Sequence, residues 1–527
     1  MATRSRYGCI DCKKAKVKCD EVHPACGTCK RRGRQCSGYS HIVAKTRKAP
    51  EATAAQSSLA ATSSPFNTRE PGLLLSPVTE PATDRVQTYD AALYSSEPFN
   101  AIESDASSAA PVSPIAHSSA VLVPTPPLLR SLAIIPPGAV QPTDEPFIEV
   151  YFMRHPADLV FSGEFVQEMN YNVLQVFQNN PQAVGDTLSA IGEAYLRDNS
   201  LPIVGFVPNR KARILARLRN MDSLGVSLEL LLTTILGLCA VELVDVNCHN
   251  GHVSAIPALM ENLAMMLEHY LHKGLELTQL AKYFVRALAR QDMMLALTRF
   301  HRPRIPTGYW LDDYAMQHAD RFMGYTGPMM PLLAELAALA EDILKSIQED
   351  SPSGIVWDST WSNPRRQSVS VLDQAFELQC KLQSWHPTLD PLLSFETSRR
   401  FLMHAYAYRN SALLYLHRLI HPAGCSLEAD QTALVMAYEV MVHTTTTKED
   451  MKMSLWPLFL ASCELHSDAD RMIATQSLGV ICDCRKTVTA LRTRDFVVNR
   501  VWAARDSGDD WNWMMLSQQY PDELLPI

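Results

Sequence analysis

Across 527 residues the chain lacks the short motifs that mark common catalytic centres. There is no G-x-S-x-G, no P-loop, no G-x-G-x-x-G followed by a plausible ribose-binding acid, and no H-E-x-x-H. Those absences argue against an enzyme. Small His/Cys groups do occur, namely Cys248 with His249 and His252, Cys463 with His466, and Cys482 with Cys484, but none completes a four-ligand set. His269 and His272 share one helix face and read as surface. Long apolar runs are also missing. The most apolar stretch, Leu228 to Val244, contains Glu229 and Glu242 and falls short of the ~20 apolar residues that span a bilayer. It reads as a buried helix, and no membrane partner is expected. β-branched alternation is scarce, which points to an all-α fold. No signal peptide is visible, so an oxidising compartment is not expected.

What the N-terminal region does have is cysteine in a repeated pattern. Cys9, Cys12, Cys19, Cys26, Cys29 and Cys36 follow C-x2-C-x6-C-x6-C-x2-C-x6-C, two C-x2-C-x6-C units in succession. A disulfide framework imposes no such repeat. A pair spaced x2 can hold one metal from a tight turn, and the third cysteine closes the site from the far end of a short helix. Structural zinc takes four tetrahedral ligands. Two ions therefore need eight ligand positions, which six thiolates fill only if two of them bridge. The pseudo-symmetry nominates Cys9 and Cys26.

Charge is divided just as sharply. Residues 1–48 hold 13 Lys+Arg against 3 Asp+Glu, or +10, so the rest of a chain of net −8 carries −18. Between Cys12 and Cys19 stand Lys13, Lys14, Lys16 and Lys18, expected on a helix barely two turns long; Lys30, Arg31, Arg32 and Arg34 follow in the second unit. A basic head on an acidic body suits a nucleic-acid-binding module joined to a separate regulatory domain. Lys45, Arg47 and Lys48 add to a stretch that also fits nuclear import.

Residues Tyr7 to Tyr39 resemble the zinc binuclear cluster DNA-binding domain of fungal transcription factors. All six cysteines match, as do the basic run, the Cys19-Asp20 pair and Pro24, where the family often has a cis proline. The resemblance implies two Zn²⁺ per chain and a helix docked in the major groove of double-stranded DNA. In the family, a lysine four residues after the second cysteine reads a CGG-type triplet. Here that is Lys16, suited to the guanine O6/N7 acceptors. Ala15 stands where many relatives carry a second basic residue. Lys14 and Lys18, one helical turn apart, are expected on phosphates with Lys13, Lys30, Arg31, Arg32 and Arg34.

From Ala49 to Asp144, 14 of the chain's 33 prolines accompany many Ser, Thr and Ala, and residues 40–144 read as a disordered linker. Within it, Tyr89 to Glu103 mixes aromatics and acids like a weak activation segment, and Ser76-Pro77, Ser113-Pro114 and Thr125-Pro126 are potential phosphate acceptors. Ser37 to Pro65 has no a/d ladder, so no zipper dimer is expected. A homodimer would have to form through the large domain, residues 145–527.

That domain reads as helices. Leu332, Leu336, Leu339, Ile343 and Ile347 share one face after Pro328 and Pro331, and Ser398 to Ile420 is a long run stopped by Pro422. Cys239, Cys380 and Cys425 read as small core residues. Residues 229–245, 456–471 and 501–514 resemble the fungal-specific regulatory domain that follows one group of these clusters. They imply a helical regulatory region, effector response included, and no catalytic domain. The ending, Asp509, Asp510, Trp511 and Trp513 to Leu516, fits two readings. One is an acidic-aromatic activation segment; the other is a terminal helix capped by the aspartates and docked by its tryptophans, which the resemblance favours. The chain is thus expected to be a nuclear regulator of RNA polymerase II genes that engages coactivators, an activator rather than a repressor. The alternative is an interaction protein or a repressor whose cluster makes little base-specific contact.

Overall fold

The computed structural model describes residues 9–17, 19–20, 26–36, 135, 138–197, 207–220, 227–245, 253–349, 369–444 and 451–527. These fall in two compact units, divided near Ser118. No strand occurs among the described residues, whose only β-type pairing is the isolated bridge between Asp320 and Gly324. Lys18, Pro24, the region 37–134 with its aromatic and Ser/Thr-Pro segments, and Cys248, His249 and His252 lie outside the described residues.

In the first unit, α1 spans Ile10–Lys14 and α2 spans Gly27–Arg31. Each is barely one turn long, too short to hold itself together in water. Among its described residues the buried cluster is Cys9, Cys12, Cys19, Cys26 and Cys29, with Val17 and Cys36 partly buried against it.

The second unit is helical throughout. Its elements are α3 (Glu145–Leu159), α4 (Val166–Asn179), α5 (Pro181–Arg197), α6 (Val207–Asn220), α7 (Leu228–Val244), α8 (Ile256–His272), α9 (Gln279–Arg299), α10 (Asp313–Gln317), α11 (Met330–Glu349), α12 (Val369–Ser384), α13 (Phe395–Ile420), α14 (Leu427–His443), α15 (Leu455–Glu464), α16 (Asp468–Cys484), α17 (Val488–Phe496), α18 (Ala503–Ser507) and α19 (Trp513–Gln519). A π-helical turn, Val497–Trp502, joins α17 to α18. Helix starts follow the side chains: Ser227, Thr278, Ser394, Ser426, Ser467 and Thr487 each accept an N–H from the first turn of α7, α9, α13, α14, α16 and α17.

α7 and α9 form the centre. α7 is buried along its length apart from Glu229 and Leu236, and α9 buries every residue from Tyr283 to Thr298. A helix covered on all faces belongs in the interior of a large domain. α3 packs on α5, α5 on α7, and α7 on α9; α11, α12 and α13 follow, and α13 and α14 meet α15. Two glycines permit the close approaches. A Cβ at Gly192 would lie 1.9 Å from the Phe147 carbonyl oxygen, and one at Gly237 would lie 1.9 Å from Thr187 Cγ2.

α7 occupies the expected stretch and α11 carries the expected leucine face. α13 starts earlier than Ser398, because Ser394 provides the cap. Ile135 and Val140, inside the stretch expected as linker, pack against the core, and Asp144 pairs with Arg210 at 2.8 Å. Two cysteines depart from expectation. Cys380 is exposed, because α12 turns Ala375, Leu378 and Leu382 inward and leaves position 380 off that face; Cys425 is half-buried in the turn before α14. Cys239 is in the core as expected. No described helix is long and apolar enough to cross a membrane.

Candidate metal centre and nucleic-acid interface

The six cysteines converge in a near-symmetric arrangement. The Cys9 N–H donates to Cys19 Sγ at 3.4 Å, and its counterpart, the Cys26 N–H, donates to Cys36 Sγ at 3.4 Å. The Cys12 N–H reaches Cys9 Sγ at 3.4 Å, and the Cys29 N–H reaches Cys26 Sγ at 3.2 Å. The sulfurs of Cys9, Cys12, Cys26 and Cys29 all lie within 4.8 Å of one another. Across the two halves the separations are 3.5 Å for Cys9–Cys26, 3.7 Å for Cys9–Cys29, 3.6 Å for Cys12–Cys26 and 3.8 Å for Cys12–Cys29. Two thiolates on one tetrahedral zinc, with Zn–S of about 2.3 Å, stand about 3.8 Å apart. The donor set therefore fits zinc. Burial pushes the thiols of Cys9, Cys12 and Cys26 up. Releasing those protons requires a cation, so binding must displace protons and depend on pH. Cys36, with Cys9, Asp11 and Cys29, forms a further group of possible ligands; Cys19, Asp20 and Cys26 form another.

The helix ends repeat the same symmetry. In the first half the Val17 N–H donates to the Cys12 carbonyl at 3.1 Å, and in the second the Arg34 N–H donates to the Cys29 carbonyl at 3.0 Å. Each bond closes its helix through one left-handed residue, as in a Schellman end. That residue is Gly33 in the second half (φ +60°) and Lys16 in the first (φ +55°). Lysine has a Cβ, so it holds this conformation at a cost of about 1–2 kcal/mol. This corrects the expected two-turn helix: α1 stops at Lys14, and Lys16 stands at its end, exposed.

Lys14, Lys30, Arg31, Arg32 and Arg34 are exposed as well. Lys13 lies on α1, and Lys18 lies outside the described residues. A link that spacing did not foresee joins the halves: Arg31 Nη2 lies 3.4 Å from Asp20 Oδ2. With the guanidinium mostly exposed, the pair contributes little stability, but it orients Arg31. Gly27 makes room for it, because a Cβ there would lie 2.6 Å from Asp20 Oδ2. The Cys19-Asp20 pair was the visible signal, without its partner.

Comparison with known proteins now decides the family. The fungal Zn(2)-Cys(6) binuclear cluster domain matches residues 7–46, and the fungal specific transcription factor domain matches residues 214–525, more than half of the chain. The chain belongs to the fungal-specific transcription factors. It is similar to the aspercryptin biosynthesis cluster-specific transcription regulator of Emericella nidulans, at 47% identity over 45 residues, 8% of this chain and 7% of that one. A Zn(2)-C6 fungal-type transcription factor of Gibberella zeae is 58% identical over 33 residues, 6% of this chain and 7% of its own. White-opaque regulator 2 of Candida albicans is 44% identical over 39 residues, 7% of this chain and 9% of its own. The chain thus matches these curated relatives over less than a tenth of their length. No solved structure matches.

Family membership makes this fungal-specific transcription factor a zinc-binding, DNA-binding regulator of transcription and not an enzyme. The three body segments that carried the resemblance lie in one hydrophobic core: α7, α15, and the π turn with α18 and α19. Trp502 Nε1 donates to the Ser462 carbonyl at 2.9 Å. Trp513 is fully buried, with ring centroids 5.2 Å from Phe459, 5.7 Å from Tyr415 and 6.0 Å from Phe300. Trp511 lies beneath the guanidinium of Arg505, 4.0 Å from the ring centroid. The docked terminal helix is what the structure has. Its cap is Asn512, which accepts the Met514 N–H, and not the exposed Asp509 or Asp510. His269 and His272 are exposed on α8. Among the described residues, every group of metal-competent side chains lies in the cysteine cluster.

Proposed function

We propose that the chain regulates RNA polymerase II genes from the nucleus by binding CGG-type half-sites, with two zinc ions held by six thiolates and Cys9 and Cys26 bridging. Support comes from the matched hydrogen bonds onto those two sulfurs in the two halves. The organisation is a DNA-binding cluster over 7–39, a linker over 40–144 and a regulatory domain over 145–527. The observation that carries the base-reading proposal is Lys16, a left-handed, exposed lysine where the other half has glycine. A conformation that costs stability at one of two equivalent positions points to a use for the side chain. Lys16 is assigned to the guanine edges, and Lys13, Lys14, Lys18, Lys30, Arg31, Arg32 and Arg34 to phosphates. Activation through coactivators, and any homodimer formed by the body, complete the proposal. The curated relatives, one named as a biosynthesis cluster-specific regulator, favour a metabolic or biosynthetic target set.

The test is a gel-shift comparison of a CGG-containing duplex with a scrambled duplex. Lys16→Ala should lower the preference for the triplet by about 1–3 kcal/mol and leave non-specific binding nearly intact. Equal loss on both duplexes would remove Lys16 from the base-reading role.

A further inference from the structure

A cavity of about 210 Å³ lies where the loop after α9 meets α4 and the connection between α12 and α13. It is below the ~300–1,000 Å³ of drug-sized sites and suits a small metabolite. Arg286 of α9, Trp310 from the α9–α10 connection, and Asp320 and Arg321 from the α10–α11 connection line it. Both guanidiniums and the indole are more than nine-tenths buried.

Their hydrogen bonding is incomplete in one direction only. Arg286 Nη1, Arg321 Nε and Nη1, and Trp310 Nε1 are buried donors with no hydrogen-bond partner. Asp320 is the anion nearest to both arginines, with Oδ2 3.5 Å from Arg286 Nε and 3.7 Å from Arg321 Nη1. Its other oxygen accepts the N–H groups of Phe322 at 2.8 Å and Met323 at 3.2 Å. Asp320 is thus within ion-pair reach of both guanidiniums, and Glu168 also acts on both through space. The other acceptors are taken: Asp390 receives His318 Nδ1 and the Ala319 and Leu392 N–H groups, and Glu164 receives the Thr397 hydroxyl. Glu164 and Glu168, which also line the cavity, are exposed.

A buried donor without a partner destabilises the fold, and more so when it is charged. The unpartnered buried groups of this lining are all donors, carried by two guanidiniums and an indole, and they call for an acceptor that brings negative charge. We propose that this cavity binds a small organic carboxylate whose oxygens accept from Arg286, Trp310 and Arg321. The exposed Glu164 and Glu168 carboxylates disfavour a second negative group at the rim and favour an ammonium there. The site is separate from the DNA-binding cluster and does not rest on how that cluster reads bases.

The test is thermal unfolding and calorimetric titration of the full chain with four probes at millimolar concentration: acetate, pyruvate, L-alanine and inorganic phosphate. A carboxylate probe should raise Tm saturably, as a ligand specific for the native state must. L-alanine exceeding pyruvate would place its ammonium at the acidic rim; the reverse order would keep the carboxylate site and remove that role from Glu164 and Glu168. Trp310→Phe keeps the ring and removes one donor; Arg286→Gln removes one charge. Each should weaken the effective carboxylate by roughly tenfold or more, with the ligand-free fold checked by circular dichroism. Should Arg286→Gln fail to fold, Trp310→Phe decides alone. DNA binding by both variants should be unchanged without the probe. No saturable response to any carboxylate, or the same response in wild type and Trp310→Phe, would overturn the proposal, as would a response to phosphate alone.

Discussion

The cysteine head and the helical body solve the same problem with opposite means. The head has helices of five residues and a core made almost entirely of sulfur. So small a module buries too little apolar surface to offset chain entropy, and metal binding has to supply most of its folding free energy. The body has a continuous apolar core from Ile148 to Ile527 and no metal-competent cluster among its described residues. Some of its charged interior groups are held in ion pairs, as with Arg210 between Asp144 and Glu193, or Arg418 between Glu464 and Asp430. One unit should therefore fail through its ligand and the other through its packing.

Metal removal is the largest way to break that contrast. Chelation should withdraw on the order of 10 kcal/mol from the head and abolish DNA binding, while the helical circular dichroism of the full chain persists. Cys19→Ala should likewise abolish DNA binding. Two zinc ions per chain are expected by elemental analysis; one ion in a chain that still binds DNA would remove the bridged arrangement.

Next in size is Trp513→Ala, which empties the space among Phe459, Tyr415 and Phe300. It should cost about 3–5 kcal/mol of body stability, read by denaturant unfolding, with zinc content unchanged. Unchanged stability with lost reporter activation would mean that the terminal helix works as an activation segment.

The pseudo-symmetric pair Lys16 and Gly33 sharpens the comparison within the head. Lys16→Gly should relieve about 1–2 kcal/mol of backbone strain yet lose preference for the triplet; Gly33→Ala should introduce a similar strain. Metal-retention assays against a competing chelator can rank the three proteins.

Mild acid should touch the body by about 1 kcal/mol. Burial holds His155 and His404 down at about 3, far below the ordinary imidazole. The unfolded chain therefore binds protons that the folded chain refuses, and stability falls as pH drops below about 6.5. Asp292 opposes this, because burial raises it to about 6 and folding then favours its protonated form. Between pH 6.5 and 5.5 the two histidines outweigh it by about 1 kcal/mol, and His301, His417, His421 and His443, also lowered by burial, act in the same direction. His404→Gln should flatten the profile of unfolding free energy against pH; an unchanged slope would remove His404 from this account.

The smallest expected effect is on phosphate contacts. Lys14→Ala or Arg32→Ala should weaken binding to all sequences alike and reduce the slope of log K against log salt by about one.

The convergence of the head's cysteines was legible because spacing is a local property: C-x2-C-x6-C states which sulfurs can meet before any tertiary contact is known. The backbone of Lys16 was not, since nothing in a run of lysines says where a helix will turn left-handed. In the body, α7 and α11 followed from apolar pattern, while the Ser394 and Asn512 caps did not. The cavity beside Arg286 did not. It draws residues from α4, the loop after α9 and the α12–α13 connection, and no spacing rule spans such distances. Cys380 shows the same limit on a small scale, because residue type suggested burial while the phase of α12 decided exposure.

Gly192 and Gly237 carry a practical consequence for saturation mutagenesis. Gly192 sits against the Phe147 backbone and Gly237 against the Thr187 side chain, each with no room for a methyl group. In a fitness map scored by reporter output, they should appear as intolerant as the zinc-binding cysteines, although neither has any chemistry to perform. Scoring each variant for cellular abundance alongside output would separate them. The glycine variants should be lost from the pool of folded protein, and the cysteine variants should remain abundant but silent.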